Sequence, residues 1–296
     1  MENLSYTKKI RIISPSGVID PVWIDGAAKV FQSWGFDVSE GKYAREVYGR
    51  FAGTEAQRIQ DLQEAINDKD LMAILCSRGG YGLVQIIDQI DFSGLDKHPK
   101  WIIGFSDVTV LHAVLSNRNI PSIHGIMAKH LTELSDDAVS RKTLNEILLG
   151  INPVYSIPSD SLNRPGCAKG KLIGGNLSVI CGLRGSQYDL NFKDAILFIE
   201  DIGEQPYHID RMMQNFRLSG IFSQLSGLIV GSFTDCPEDP LMHKTIKEII
   251  LSVTDAHDFP VCFGFPSGHE DINYPLILGK EVSLTVSADV TLLDFN

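Results

Sequence analysis

Along the first half of the chain, short apolar runs alternate with segments whose apolar positions recur at helical spacing. The runs "IRIISPSG", "FDVSE", "MAILC" and "WIIGF" read as strands, with helices predicted over 27–34, around 54–68, around 83–90 and from Asp107 onward. In the second helix Ile59, Leu62, Ala65 and Ile66 fall close to one face. Strands and helices taking turns predict a mostly parallel sheet covered on both faces, with any ligand at the carboxyl ends of the strands. The stretch "GINPVYSIPSDSLNRPGCAKG" holds three prolines and no sustained period, so it reads as a connection. This divides the chain into an α/β domain over 1–150, a linker over 151–169 and a second α/β domain over 170–296. In the latter, "GKLIGGNLSVICGL", "AILFIED", a helix over 206–217, "LSGLIVGSF", a helix around 239–254, "PVCFGF" and the closing runs "LILG" and "VSLTV" predict a more mixed sheet.

Composition narrows the class. A chain of 296 residues, 44% of them hydrophobic, can bury a large core. Its formal charge of -11 disfavours nucleic acid and anionic lipid as partners. The start, "MENLSYTKKIRIISPSG", lacks the apolar length and cleavage site of an export signal, and no stretch has the roughly 18–20 apolar residues of a spanning helix. A soluble, cytoplasmic protein is the expectation. The five cysteines are scattered and form no C-x-x-C pair, which suits reduced thiols.

Four predicted strand ends carry reactive groups. In "GFSDVT", Ser106 stands where a strand turns into a helix, a place that suits either a nucleophile or a helix cap; the hydrolase elbow G-x-S-x-G is matched only in part, because Val108 occupies its fifth position. The loop "CSRGGYG" can bring backbone amides up to a phosphate or an oxyanion, yet it lacks the ending of a phosphate-binding loop and also reads as a plain turn. "LFIEDIGEQPYHIDR" offers Glu200, Asp201, Glu204 and Asp210, either to orient an imidazole or as a solvated acidic loop. "GFPSGHE" places His269 after a strand, with His112 and His124 as competitors for a general base.

Taken in order, "SPSG", "SRGGYG", "GFSDVT", "KLIGGNLSVICGL", "LFIED" and "GFPSGH" resemble the serine LD-carboxypeptidases, which include muramoyltetrapeptide carboxypeptidase and the microcin C self-immunity peptidase. The resemblance spans nearly the whole chain. It implies a flavodoxin-like parallel-sheet domain followed by a smaller mixed-sheet domain, a homodimer, and no metal or other cofactor. It also implies Ser106 as nucleophile, Glu200 as acid, His269 as base, and the amides of Asp107 and Gly80 as oxyanion donors. The implied substrate is a murein tetrapeptide, free or as its UDP-MurNAc or anhydro-MurNAc conjugate, cleaved at the L,D-amide bond that holds its terminal D-alanine. Arg78, Gly79 and Arg211 are substrate-binding candidates by location, although either arginine could equally serve a structural ion pair.

Three other readings stand beside this one. The microcin-immunity branch cleaves peptidyl or aminoacyl nucleotides and carries added loop material, whereas the 151–169 stretch is short and has no tryptophan. A non-catalytic sugar- or phosphate-binding protein would use the glycine loop but has no need of the Ser, Glu and His set. A zinc carboxypeptidase would call for H-E-x-x-H or a cysteine cluster, and neither is present in the sequence.

Overall fold

The computed structural model describes residues 8–296, so the first residues of the stretch read for an export signal lie outside it. In the first half, β1 (Lys9–Ile13), β2 (Asp37–Glu40), β3 (Ala73–Cys76), β4 (Trp101–Gly104) and β5 (Ser122–His124) alternate with α1 (Pro21–Ser33), α2 (Glu55–Asn67), α3 (Ser93–Lys97) and α4 (Thr109–Asn117). The strands pair in parallel in the order β2-β1-β3-β4-β5. This is the flavodoxin-like order, whose direction reverses between β1 and β3, and the loops after those strands frame a crevice. Local chemistry sets the helix starts. Asp20 caps α1 ahead of Pro21, and Thr54 with Gln57 forms a capping box on α2.

After α5 (Ala128–Glu133) and α6 (Val139–Leu148) come β6 (Val154–Pro158), β7 (Gly166–Asn176), α7 (Leu177–Leu183), β8 (Ala195–Ile202), α8 (Pro206–Leu218), β9 (Gly227–Thr234), α9 (Ile246–Thr254), β10 (Val261–Cys262), β11 (Leu276–Leu278), β12 (Glu281–Val286) and β13 (Val290–Asp294). The second sheet has the order β10-β9-β8-β7-β12-β13-β6, parallel from β10 to β7 and antiparallel from there on. It is the mixed sheet expected. Among the described residues no helix is long and apolar enough to cross a membrane.

Several elements differ from the sequence expectation. The 151–169 stretch is not a bare linker: it carries β6, which pairs with β13 and buries Tyr155 and Ile157, and it contains the start of β7. The run "LILG" is β11, which crosses back to pair antiparallel with β5 and so belongs to the first sheet. The expected helix around 83–90 is two short 3-10 turns, although its apolar residues Leu83, Ile86, Ile87 and Ile90 all face the core. The helix expected around 239–254 is regular only from Ile246. The apolar cores ignore the division near residue 150. One cluster runs from Leu62 through Leu111 and Leu115 to Ile173 and Phe216, and another from Phe31 and Ile103 to Tyr155 and Phe198.

A buried hydrogen bond fastens β6 to the chain entering β11: the Tyr155 hydroxyl donates to the Pro275 carbonyl at 2.5 Å. Tyr155→Phe keeps the ring and strands that carbonyl, at a cost of about 1–3 kcal/mol. Urea denaturation should report a loss of that size, and a midpoint unchanged from the parent would show that the bond adds nothing.

Candidate active site

β4 ends at Gly104, and the chain turns through a 3-10 segment, Ser106–Val108, into α4. Ser106 has φ +64°, in the left-handed region that non-glycine residues enter at a cost of about 1–3 kcal/mol. It caps nothing: neither the 3-10 segment nor α4 takes a side-chain cap. The turn holds Ser106 against Gly79, where a methyl group would lie 2.7 Å from the serine Cβ and 3.0 Å from its Oγ. Only glycine fits there. Gly80, at φ +97°, continues the same loop.

Asp107 turns its side chain inward. Its Oδ2 accepts from the Ser16 hydroxyl at 2.7 Å and from the Leu83 amide at 2.9 Å, joining the loops after β1, β3 and β4. Burial pushes this carboxyl up from the usual range, while the two hydrogen bonds and Arg58 pull it back. Arg78 lies over the β1 loop, where its Nη1 donates to the Val18 carbonyl at 2.6 Å.

The second half brings its residues to the same place through β7. Asn176, the last residue of β7, donates its amide to Thr109 Oγ1 at 3.0 Å, which docks the first turn of α4. A methyl on the preceding residue, Gly175, would lie 2.5 Å from that same oxygen. Asn176 pairs in parallel register with Glu200 on β8, so the helix that follows Ser106 is indexed to the strand end that holds Glu200. Glu200 is fully buried, and its Oε2 accepts from His269 Nδ1 at 2.6 Å. A carboxylate oxygen can only accept, so Nδ1 is the donor, which in a neutral ring leaves the lone pair on Nε2. Gly268, at φ +137°, leaves room for this contact, since a methyl there would sit 3.1 Å from Glu200 Oε2. The His269 loop is fixed from below by Ser267, whose hydroxyl donates to Asn273 Oδ1 at 3.1 Å and to the Tyr274 carbonyl at 3.0 Å.

Asp201 points to the other side of β8. It accepts from Asn176 Nδ2, the Ser178 amide and the Ile202 amide, and burial pushes its carboxyl up to about 6. It secures Asn176 rather than the imidazole. Glu204 turns away to His208 Nδ1 at 3.0 Å.

Ser106, His269, Arg78, Gly79 and Gly80 line one cavity of about 650 Å³. Arg211, a candidate by sequence, lies outside it on α8 with its guanidinium over the Tyr207 ring. The cavity has further walls that the sequence reading passed over: Asp20 and Trp23 at the start of α1, and Lys129, His130 and Glu133 on α5. The α5 residues follow a strand end, β5, so the strand-end rule could have flagged them. His130 shares the Phe105 ring with His269, the ring centroids lying 5.6 and 4.8 Å from that of Phe105. A larger cavity, about 940 Å³, opens beside β9 and α9 but touches none of Ser106, Glu200 or His269. Among the described residues no group of three His, Cys, Asp or Glu side chains is gathered to hold a metal ion.

The two competing histidines are part of the core. His112, on α4, donates Nε2–H to the Gly104 carbonyl at 2.9 Å and accepts at Nδ1 from the Ser122 hydroxyl at 2.8 Å. Burial pulls it down to about 4. His124, fully buried beside Phe105 and Phe198, is lowered by burial as well.

Two sheets meet around one chamber, the first bringing Ser106 in its left-handed turn and the second an imidazole held by a carboxylate, side-chain types that suit a hydrolase. Comparison with known proteins agrees, matching residues 10–125 to the LD-carboxypeptidase N-terminal domain and residues 169–284 to the LD-carboxypeptidase C-terminal domain. The chain belongs to the LD-carboxypeptidase family. A Synechocystis sp. protein that carries a provisional carboxypeptidase name is 35% identical over 93% of this chain and 91% of its own. The murein tetrapeptide carboxypeptidase of Pseudomonas aeruginosa is 30% identical over 93% and 92%. A crystal structure of muramoyltetrapeptide carboxypeptidase from Oxalobacter formigenes superposes with a TM-score of 0.89 at 27% identity, covering 97% of this chain and 98% of that one. The microcin C7 self-immunity protein of Escherichia coli is 26% identical over 86% of this chain and 82% of its own.

The buried histidines give stability a pH dependence of definite sign. The unfolded chain takes a proton on His112 near pH 6.5, but the folded chain does so only near 4, so acidification across that interval favours unfolding. His124 and His130, both lowered by burial, act in the same direction. The Asp201 carboxyl, raised to about 6, acts in the opposite direction, so the test is a difference: in urea denaturation at pH 6.5 and pH 4, His112→Gln should shift the change in stability by up to about 3 kcal/mol relative to the parent. An unchanged slope in the variant would mean that the native ring is already charged.

Proposed function

We propose that this chain is a serine-type LD-carboxypeptidase that releases the terminal D-alanine of murein tetrapeptides in cell-wall recycling. The observation that carries the reading is the Glu200–His269 hydrogen bond at the edge of the chamber that holds Ser106 in its left-handed turn. In this reading His269 Nε2 takes the Ser106 proton while Oγ attacks the carbonyl carbon of the scissile amide. The Asp107 and Gly80 amides receive the developing oxyanion, and Glu200 stabilises the imidazolium. The imidazolium then protonates the departing D-alanine nitrogen. Water, deprotonated by the same ring, cleaves the acyl-enzyme and frees Ser106. Arg78 keeps guanidinium N–H groups beyond the one given to Val18, and these suit the carboxylate that a carboxypeptidase substrate must present.

An aminoacyl nucleotide is the rival substrate. Against it, the 151–169 stretch commits β6 and the start of β7 to the second sheet, contains no tryptophan, and leaves little chain to read a base.

Purified protein given UDP-MurNAc-tetrapeptide should release free D-alanine, and Ser106→Ala should reduce the rate by about 10⁴ or more. Full activity in that variant would dismiss the nucleophile, and release of an amino acid from an aminoacyl sulfamoyl nucleotide but not from the muropeptide would transfer the assignment to the rival. Glu200→Gln, in the same assay, is expected to lower kcat by about 10²–10⁴. Arg211→Ala should leave both kcat and KM near the parent values, because that side chain lies outside the chamber.

A further inference from the structure

The "SPSG" turn after β1 holds none of the reacting groups, yet two of its residues are bonded to the two segments that supply the oxyanion amides. Ser16 Oγ donates to the side chain of Asp107 at 2.7 Å, and the Gly17 amide donates to the Gly79 carbonyl at 2.9 Å. That second bond has a geometric consequence. The Gly79 carbonyl and the Gly80 N–H belong to one planar trans peptide and point in opposite directions, so fixing one fixes the other. With the carbonyl aimed at Gly17, the Gly80 N–H is turned away from the β1 loop. Among the described residues it has no acceptor.

Steric fit around the bond is close. A methyl on Gly17 would lie 2.9 Å from the Gly79 oxygen, and one on Gly80 would meet Gly17 Cα at 3.5 Å. On its other side Gly79 touches Ser106. The loop that does the holding is itself secured from three directions. Ser16 accepts at its carbonyl from the Ala52 amide at 3.1 Å, Val18 donates its amide to Arg50 at 3.0 Å, and Arg58 Nη1 donates to the Pro15 carbonyl at 3.1 Å.

We infer that Ser16 and Gly17 are positioning residues of the oxyanion site, the Gly17 amide locking the Gly79–Gly80 peptide plane and the Ser16 hydroxyl locking Asp107. The inference rests on the proposed serine mechanism and adds to it a device that orients both donors from one loop. Donors preset in this way need no reorganisation when charge develops, so their orientation matters in the transition state and not in ground-state binding.

The test removes the Gly17 N–H without changing volume, by placing an ester at that position through glycolic acid incorporation in cell-free synthesis; Gly17→Ala is the companion variant, and its methyl pushes on the same carbonyl. For both, kcat for D-alanine release should fall about 10- to 100-fold, short of the about 10²–10³ lost when a donor is removed outright, with KM unchanged. Affinity for a peptide boronic acid, which forms a tetrahedral adduct on the serine, should fall by the same factor, while affinity for the tripeptide product stays at the parent value. Unchanged kcat and boronate affinity in the ester-containing chain would overturn the inference, as would a loss of product affinity equal to the loss for the boronate. Ser106→Ala in the same assay keeps the two levels apart: if it is inactive while the ester chain matches the parent, only the positioning role is lost.

Discussion

One buried carboxyl group, that of Asp107, ties the carboxyl end of the first sheet together. Three loops leave β1, β3 and β4 side by side around a crevice, beyond the regular ladder of their strands. Loops without ladder bonds need other partners, and the Asp107 side chain supplies them by accepting from the Ser16 hydroxyl and the Leu83 amide. The same residue follows Ser106, so the bonds that join the loops also hold the turn in which φ is +64°. The strain of that turn persists because its neighbours on both sides are fixed: Gly104 through its carbonyl to His112, and Asp107 through its side chain.

The second constraint joins the halves. Glu200 is fully buried, an expensive place for a carboxylate unless a donor meets it, and His269 is that donor. A strand from one half and a helix from the other must then be set in register to within an ångström or so. The Asn176 amide to Thr109 Oγ1 bond does this, backed by the Asn176–Glu200 register on one side and the Asp201 clasp on the other. Two apolar clusters cross from one half to the other and pack the junction.

Much of this was legible in the sequence, and the exceptions have physical causes. The alternation of "IRII", "MAILC" and "WIIGF" with helical segments fixes a parallel sheet, because buried parallel strands are apolar throughout. The turn at Ser106 is visible in outline, but its positive φ is set by loops distant in sequence and lies beyond local pattern. Pro153 just before β6 and Pro158 at its last position obscure it, although "VYSIP" alternates exposed and buried residues as a half-buried strand should. Around 83–90 the helical spacing of apolar residues located the buried face correctly and the backbone wrongly. There the Leu83 amide is bonded to Asp107 and the chain folds into 3-10 turns. The partner of β11 was not legible at all, since edge pairing with β5 is a non-local choice made by the assembled sheet. Arg211 follows Glu200 closely in sequence, but α8 carries it out of the chamber.

The glycines around the chamber explain why motifs that are individually weak identify the site when taken together. Gly79 yields space to Ser106, Gly175 to Thr109, and Gly268 to Glu200, and in each case a single methyl would meet an atom of that residue at 3.1 Å or less. Each glycine is therefore a record of close approach between segments far apart in the chain. Read singly, a Gly-Gly or Ser-Gly pair marks only a turn. "SRGGYG", "LIGGN" and "PSGH" are two loops and the end of β7, where missing side chains let a hydroxyl, a helix and a carboxylate come together.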